Sequence, residues 1–345
     1  MRRRLFAVIT TLALNGAASA QDIHFSQFYE TSILRNPALT GVFAGDYKLG
    51  ALYKSQWNTI STPFQTAVVS AETRFSVNRN VADFISFGLL ASYDRAGTTR
   101  MQTLTVYPAV NYNKLMNDEH STYLSAGFTG GFIQRSFDLT RATFNNQYQN
   151  NAFDPSASSG EQNLNSNINQ WDLGAGISYS SNTGINNQTN YFFGVSGYHF
   201  TKPRSSYFNN ENIRIGMKIN VTAGVSAPIG ENYSVQAYIN YANQAPYSEL
   251  IGGGLFGWHK KAYEGEGIIF GIYGGVFYRL NDAVVPTVKV KIKEYAIGLS
   301  YDVSVSSLSK ISNMQGGYEL TLFKTGLFKD PNRQRSKTIC PHAVW

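Results

Sequence analysis

The stretch GIIFGIYGGVFY, residues 267–278, is the most apolar part of the chain after its first twenty residues. It is too short to cross a bilayer as a helix, which needs about 18 or more apolar residues in succession. Its side chains instead alternate along the chain, as in a membrane-spanning β-strand. One predicted face carries Ile268, Phe270, Ile272, Gly274, Val276 and Tyr278, and the other carries Ile269, Gly271, Tyr273, Gly275 and Phe277. This stretch therefore predicts a strand of an outer-membrane barrel.

The same period of two appears in FISFGLLASYDR, residues 84–95, and in TYLSAGFTGGFIQR, residues 122–135. Charged residues make up 15% of the chain, whereas about 25% is usual in soluble proteins. The chain is also rich in Tyr (22), Phe (22) and Gly (31). A secreted β-sandwich or propeller shares part of this composition, but its polar strand faces usually carry more Lys and Glu. An all-β, antiparallel, transmembrane barrel in the bacterial outer membrane is the favoured class, because a closed barrel satisfies its backbone hydrogen bonds between strands.

About fourteen segments show strand patterning, an even number within the range of single-chain outer-membrane barrels. Short links such as residues 281–283 are expected at one rim and longer links at the other. The longest link, residues 136–169, is dense in Asn, Gln and Ser, and it is either functional or simply solvated. The predicted strands are 46–57, 64–74, 84–94, 101–113, 121–135, 170–180, 190–200, 213–227, 233–243, 249–259, 267–280, 285–292, 294–303 and 316–322.

The chain ends predict export and flanking segments. Residues 1–20 have three arginines, a short apolar stretch and an Ala-Ser-Ala site, which together indicate a signal peptide with Gln21 as the mature N-terminus. Cleavage lowers Lys+Arg from 29 to 26 against 22 acidic residues, so the net charge of +7 becomes +4. That charge is too small to indicate nucleic-acid binding. The predicted regions are a plug or periplasmic segment at 21–45, a barrel at 46–327 and a periplasmic tail at 328–345.

No motif predicts catalysis, a metal or a cofactor. The five histidines lack metal-ligand spacing, and GVSGY at 194–198 is not a nucleophile elbow. The single cysteine, Cys340, excludes an internal disulfide. Lys289, Lys291 and Lys293 share one strand face, which must point to the lumen or lie outside the membrane. That face is interpreted as solvated, with an anion-attracting lumen as the alternative.

Residues 21–41, QDIHFSQFYETSILRNPALTG, lack strand periodicity and resemble the start of the mature PorP/SprF family. These are outer-membrane proteins of the type IX secretion system, which also supports gliding in some bacteria. YKSQW at 53–57 and GYHFTKP at 197–203 are similar to later family blocks, and Ile23 replaces the usual proline. The matching residues at the start are Gln21, Asp22, His24, Phe25, Ser26, Gln27, Phe28, Tyr29, Asn36, Pro37, Ala38 and Gly41.

The C-terminal half carries further blocks in the same order. YRLNDAVVPTV at 278–288 is similar to the Tyr-Arg-x-x-Asp-Ala block, and GLSYDVSVSSL at 298–308 to the Gly-x-Ser-Tyr-Asp block. GGYELTL at 316–322 resembles the closing Gly-Gly-x-Glu, and Cys340-Pro341 is similar to the usual terminal Cys-Pro, although the ending to Trp345 departs from it. Asp282 is expected in a turn. Tyr301, Asp302 and Glu319 are expected near strand ends or paired with arginine inside the barrel.

The resemblance implies a non-enzymatic barrel that supports secretion or surface display of cargo such as large adhesins or gliding proteins. Its implied partners are outer-membrane lipid, periplasmic ring lipoproteins, the translocon and cargo with a C-terminal sorting domain. The candidate plug or partner-binding residues are His24, Phe25, Phe28, Tyr29, Asn36, Pro37, Asp282, Tyr301 and Asp302. A porin or transporter for a hydrophobic or anionic solute is the alternative function, and an outer-membrane hydrolase is a third.

Overall fold

The fold is taken from a computed structural model of the full chain, described for residues 22–58, 62–78, 81–149, 151–161, 164–184, 187–261, 268–306 and 315–328. The predicted signal peptide, Gln21, Cys340 and all of the predicted tail beyond Phe328 lie outside these residues. No helix in the described ranges is long and apolar enough to span a membrane.

Fourteen long antiparallel strands close into a barrel in which β1 pairs with both β2 and the last strand, β16. All fourteen predicted strands correspond one to one with these strands, so the predicted fold class is confirmed. Two-residue strands β6 and β7 pair with each other within the long connection after β5. The bounds are β1 Tyr47–Gln56, β2 Phe64–Asn78, β3 Val81–Ala96, β4 Met101–Asn117, β5 Thr122–Ser136, β6 Tyr148–Gln149, β7 Ala152–Phe153, β8 Asn167–Thr183, β9 Thr189–Tyr198, β10 Lys218–Ile229, β11 Tyr233–Gln244, β12 Tyr247–Lys261, β13 Ile268–Arg279, β14 Ala283–Ile292, β15 Tyr295–Ser304 and β16 Gln315–Gly326.

One strand begins later than its sequence pattern predicts. The segment expected at 213–227 joins the wall only from Lys218 onward. Before that point, the Ile215 amide donates to the Pro203 carbonyl (2.9 Å) and the Ser205 amide donates to the Ile213 carbonyl (2.8 Å). These backbone groups are therefore satisfied within the loop between β9 and β10 rather than in the barrel ladder.

The two faces of the wall differ as the alternation predicts. On β13, Ile272, Val276 and Tyr278 are exposed on the outer face, whereas Tyr273 and Phe277 are buried inside. A band of exposed aliphatic and aromatic side chains is what a lipid-facing barrel surface requires.

Both ends of the barrel sequence lie at one rim, since Tyr47 pairs with Gly326. We call this the inner rim and the opposite one the outer rim. The connections after β5 and β9, residues 137–166 and 199–217, are both at the outer rim. Bacterial barrels place long loops outside the cell and short turns in the periplasm.

The expectation that short and long links separate between the rims is wrong for residues 281–283, which lie at the outer rim with the two long loops. The Asp282 amide donates to the Arg279 carbonyl (3.0 Å). This hydrogen bond closes a tight turn, so a few residues are enough to join β13 to β14.

Residues 22–46, here called the N-terminal segment, lie inside the barrel. The segment contains three short helical turns, Phe28–Glu30, Ser32–Arg35 and Pro37–Leu39. It begins beside His199 and Lys218 near the outer rim, where the Asp22 amide also bonds the Gln244 side chain (3.1 Å). It ends at the inner rim, where the Asp46 amide donates to the Gly326 carbonyl (2.7 Å). The segment therefore runs the height of the lumen before the chain enters β1.

Candidate functional site: the occupied lumen

Glu319 of β16 binds the first residues of the N-terminal segment. Its side chain is 1% exposed and points inward. One carboxylate oxygen accepts from the Ser26 amide (2.7 Å) and the other from the Gln27 amide (2.9 Å). The Lys54 ammonium lies 3.2 Å from the same carboxylate and donates to the His24 carbonyl (2.8 Å). One buried ion pair thus binds three backbone groups within residues 24–27.

A second cluster lies closer to the outer rim and is centred on Arg279. Its guanidinium contacts the carboxylates of Asp282 (2.8 Å), Asp302 (3.2 Å) and Glu249 (3.5 Å). It also donates to the Ser26 hydroxyl, which in turn donates to Asp302 (2.6 Å). The predicted pairing of Asp302 with an arginine is therefore present. Asp282 occupies a turn and completes the same cluster.

A third cluster lies deeper and holds Glu30. The Lys289 ammonium pairs with the Glu30 carboxylate at 2.5 Å, and the Lys48 ammonium lies 3.9 Å from it. All three side chains are buried. The interpretation of the lysine strand face as solvated is wrong at Lys289, because the segment supplies a carboxylate partner there. A buried pair of this kind is strongly destabilised when one partner is removed, by about 3–5 kcal/mol.

The start of the segment is held by an acid–histidine–acid arrangement. His199 Nε2 lies 2.7 Å from Asp22, and His199 Nδ1 lies 2.8 Å from Asp172 of β8. Asp172 also accepts from the Tyr107 hydroxyl (2.7 Å). Burial lowers the pKa of the His199 imidazole, but the two carboxylates outweigh it and raise that pKa to about 9. Burial raises the pKa of Asp22, while Lys218 and His199 hold it well below its usual value.

The Asn-Pro step of the segment packs against the barrel wall at β5 and β8. The Asn36 side chain accepts from the Ala38 amide (2.8 Å), capping the last helical turn, and donates to the Ile177 carbonyl of β8 (3.0 Å). The next residue, Pro37, packs on Gly127 so closely that a Cβ there would overlap its carbonyl group. Inward-facing glycine therefore provides the space that this part of the segment occupies.

Aromatic packing fills the remaining space around the middle of the segment. Tyr29 is fully buried and stacks on Tyr238 (4.8 Å between ring centroids) and Phe277 (5.2 Å). Phe28 meets Phe277 edge-on at 5.9 Å. Phe25 belongs to a separate buried cluster on the other side of the lumen. These contacts form a packed core around the middle of the segment.

The structure places eight of the nine candidate residues in or beside this lumen. Tyr301 is not among them, since it is 40% exposed on the outer face of β15. His24 is near its start, with Nδ1 3.9 Å from Glu249. Sequence reasoning missed Lys54 and Asp172, and it expected Glu319 near a strand end or paired with arginine, where the structure has Lys54. The available signal was a charged residue at an inward-facing position of a barrel strand.

No group of three or more His, Cys, Asp or Glu side chains within the described ranges could hold a metal ion. The charged groups of the lumen instead bind one another and the segment backbone. The arrangement is chemically suited to holding a polypeptide in place.

The matching family model is that of the type IX secretion system membrane protein PorP/SprF, over residues 17–323. A search of curated proteins finds no match. Among solved structures, the CymD monoaromatic hydrocarbon channel has a TM-score of 0.47 at 10% identity, covering 91% of this chain and 96% of that one. A Pseudomonas aeruginosa FadL homologue has a TM-score of 0.42 at 9% identity, covering 84% and 92%. The KdgM porin with oligogalacturonate has a TM-score of 0.38 at 9% identity, covering 81% and 98%.

These observations give the protein a location and a family. A closed barrel with an apolar outer surface and polar groups inside is the architecture of bacterial outer-membrane proteins, and the matched family model covers most of the sequence. The chain therefore belongs to the PorP/SprF family of type IX secretion system membrane proteins.

Proposed function

We propose that this barrel serves type IX secretion as a binding platform for other proteins and that solutes do not pass through it. It supports secretion or surface display of cargo such as large adhesins or gliding proteins. Its partners are periplasmic ring lipoproteins, translocon components and cargo with a C-terminal sorting domain, together with outer-membrane lipid. The family assignment supports the secretion role, and the chemistry of the lumen supports binding rather than transport or catalysis.

The observation that carries this proposal is the occupied lumen. His24, Phe25, Phe28, Tyr29, Asn36 and Pro37, together with Asp282 and Asp302 of the wall, are proposed to retain the N-terminal segment as a plug. A porin for anions needs cations that are free to meet its solute. Lys289, on the lysine strand face that suggested such a lumen, is neutralised by Glu30 at 2.5 Å. Protein partners are then left with the two rims as their contact surfaces.

Deletion of the gene in the native bacterium tests the secretion role. We expect cargo with a sorting domain to disappear from the cell surface or the medium, while uptake of small solutes stays normal. Re-expression of the unaltered chain should restore the cargo. Normal cargo levels together with reduced uptake of a solute would overturn the proposal and favour the porin or transporter.

Conductance of the purified barrel in planar bilayers tests the plug separately. The unaltered protein should show no steady open-channel current, because the segment runs the height of the lumen and packs against its wall. A Glu319→Gln variant should show intermittent opening, because it weakens retention of residues 26 and 27. A steady large conductance of the unaltered barrel would contradict the occupied lumen.

Replacing residues 137–166, the outer-rim connection between β5 and β8, with a short Gly-Ser linker tests which rim binds cargo. The loop residues Tyr148 and Phe153 are exposed, at 61% and 47%. If the outer rim binds cargo, secretion should fail although the barrel folds and inserts normally. Unchanged secretion would place the essential contacts at the inner rim.

A further inference from the structure

A cavity of about 620 Å³ lies at the outer rim, apart from the ionic clusters that hold the segment at Glu319, Glu30 and Arg279. The N-terminal segment lines it with Ile23 and Leu34, the barrel wall with Ile133, and the loop between β9 and β10 with Phe208 and Ile215. Exposed loop residues such as Phe208 (52%) are part of its lining, so it opens toward the rim. Cavities of this size accommodate small organic molecules.

One cation in this cavity has unused hydrogen-bonding capacity. Arg135, at the end of β5, donates from Nη1 to the Ser205 hydroxyl (2.9 Å). Its Nε is buried and has no hydrogen-bond partner among the described residues. A buried donor without a partner is unfavourable by about 1–3 kcal/mol. The Nε and Nη2 edge of a guanidinium is the fork that binds a carboxylate through two parallel hydrogen bonds.

The neighbouring charges leave this cation available. Lys218 and His199 both contact Asp22, so that acid is already engaged. The second cavity carboxylate, Asp94, accepts from the Thr66 hydroxyl (2.6 Å). Both acids attract Arg135 electrostatically, but neither is hydrogen-bonded to it within the described residues. Arg214 donates only to loop carbonyl groups among its described contacts. The cavity lining therefore has more cations, Arg135, Arg214 and Lys218, than acids, Asp22 and Asp94.

The remaining lining favours an apolar body attached to the anion. Met101, Ile133 and Ile215 contribute aliphatic surface, and Tyr107 and Phe208 contribute aromatic rings. Burying such surface contributes about 25 cal/mol for each Å² removed from water. A ligand that is apolar at one end and anionic at the other matches both parts of the lining.

We propose that this cavity binds a small amphipathic carboxylate, with the carboxylate on the Arg135 guanidinium and the apolar body against Ile133, Ile215 and Phe208. Because Ile23 and Leu34 of the N-terminal segment also line the cavity, the ligand rests on the segment. The ligand does not pass further, since the segment occupies the lumen below. This site is independent of the role in secretion.

Calorimetric titration of the folded protein in lipid nanodiscs tests the site. The probes are phenylbutyrate and its neutral counterpart, phenylbutanamide, each corrected for partition into empty nanodiscs. We expect saturable binding of the carboxylate with one site per chain, and binding of the amide at least about tenfold weaker, because charge-assisted hydrogen bonds are about twice as strong as neutral ones.

The variant Arg135→Gln should lose the preference for the carboxylate over the amide. Arg141→Gln is the matched control, since Arg141 is an exposed arginine of the outer loop that pairs with Asp138 (3.2 Å) and does not line the cavity. Equal affinities for the two probes, unchanged preference in Arg135→Gln, or no saturable binding would overturn the proposal. The comparison of the two probes uses the unaltered protein, so it stands even if Arg135→Gln does not fold.

Discussion

Replacing Glu319 by glutamine should release the start of the N-terminal segment without unfolding the barrel. The amide side chain keeps the shape of the carboxylate but presents an NH₂ group to one of the two backbone donors, Ser26 or Gln27. It also leaves the Lys54 ammonium, which is 2% exposed, without its carboxylate partner. Removing one partner of a buried ion pair raises the free energy by about 3–5 kcal/mol. Since each 1.4 kcal/mol is a factor of ten, opening of this region should become about 10²- to 4 × 10³-fold more frequent.

Hydrogen exchange at the Ser26 and Gln27 amides measures this opening directly. Exchange at both amides should accelerate by about that factor, while the amides of the barrel strands stay protected. Glu294→Gln is the control, because Glu294 lies in an inner-rim turn, 57% exposed and 3.9 Å from Lys324, and a surface pair contributes little. Equally slow exchange at Ser26 and Gln27 in Glu319→Gln and in the unaltered protein would refute the role assigned to this ion pair.

Three further changes test other parts of the lumen. The pKa of His199 is about 9 in the folded state and about 6.5 in the unfolded chain, so its stabilising contribution is complete below pH of about 6.5 and is lost as the pH rises through 9. Chymotrypsin cleavage after Phe25 or Phe28, near the start of the segment, should increase over that window, and a flat profile would contradict it. Gly127→Val should expel the N-terminal segment, because the added atoms overlap the backbone of Pro37 and Ala38. Gly274→Val should leave the segment in place, because no atom lies within 4 Å of a Cβ added there. The accessibility of a cysteine engineered into the segment measures the difference. Tyr29→Ala should destabilise the seated segment by about 3–5 kcal/mol, measured by hydrogen exchange, and Tyr148→Ala, at a site 61% exposed, should have no such effect.

The barrel could be predicted from sequence because its signal is local. Alternation along residues such as Ile272 to Tyr278 assigns each side chain to lipid or lumen, and it requires no knowledge of the partner strand. The count of fourteen strands follows from repeating that reading along the chain.

The contents of the lumen could not be predicted in the same way. An inward-facing charge such as Lys54 or Lys289 has the same sequence pattern in a water-filled pore and in a packed lumen. The difference is a carboxylate more than 250 residues away along the chain, as in the pairs of Lys54 with Glu319 and of Lys289 with Glu30. These groups meet only when the strands close into the barrel. The sequence did show that residues 21–41 lack the alternation of a strand, as expected for a segment that packs inside the barrel.

The pairing of β1 with β16 has a consequence for biogenesis. β1 pairs with β16, the last strand, so the ring cannot close before β16 is present. The strands that complete the ring, β15 and β16, also carry Asp302 and Glu319, which bind Ser26 and Gln27 of the N-terminal segment. Closing the barrel therefore also completes the binding of Ser26 and Gln27, whereas His199 and Lys218, the partners of Asp22, belong to earlier parts of the chain.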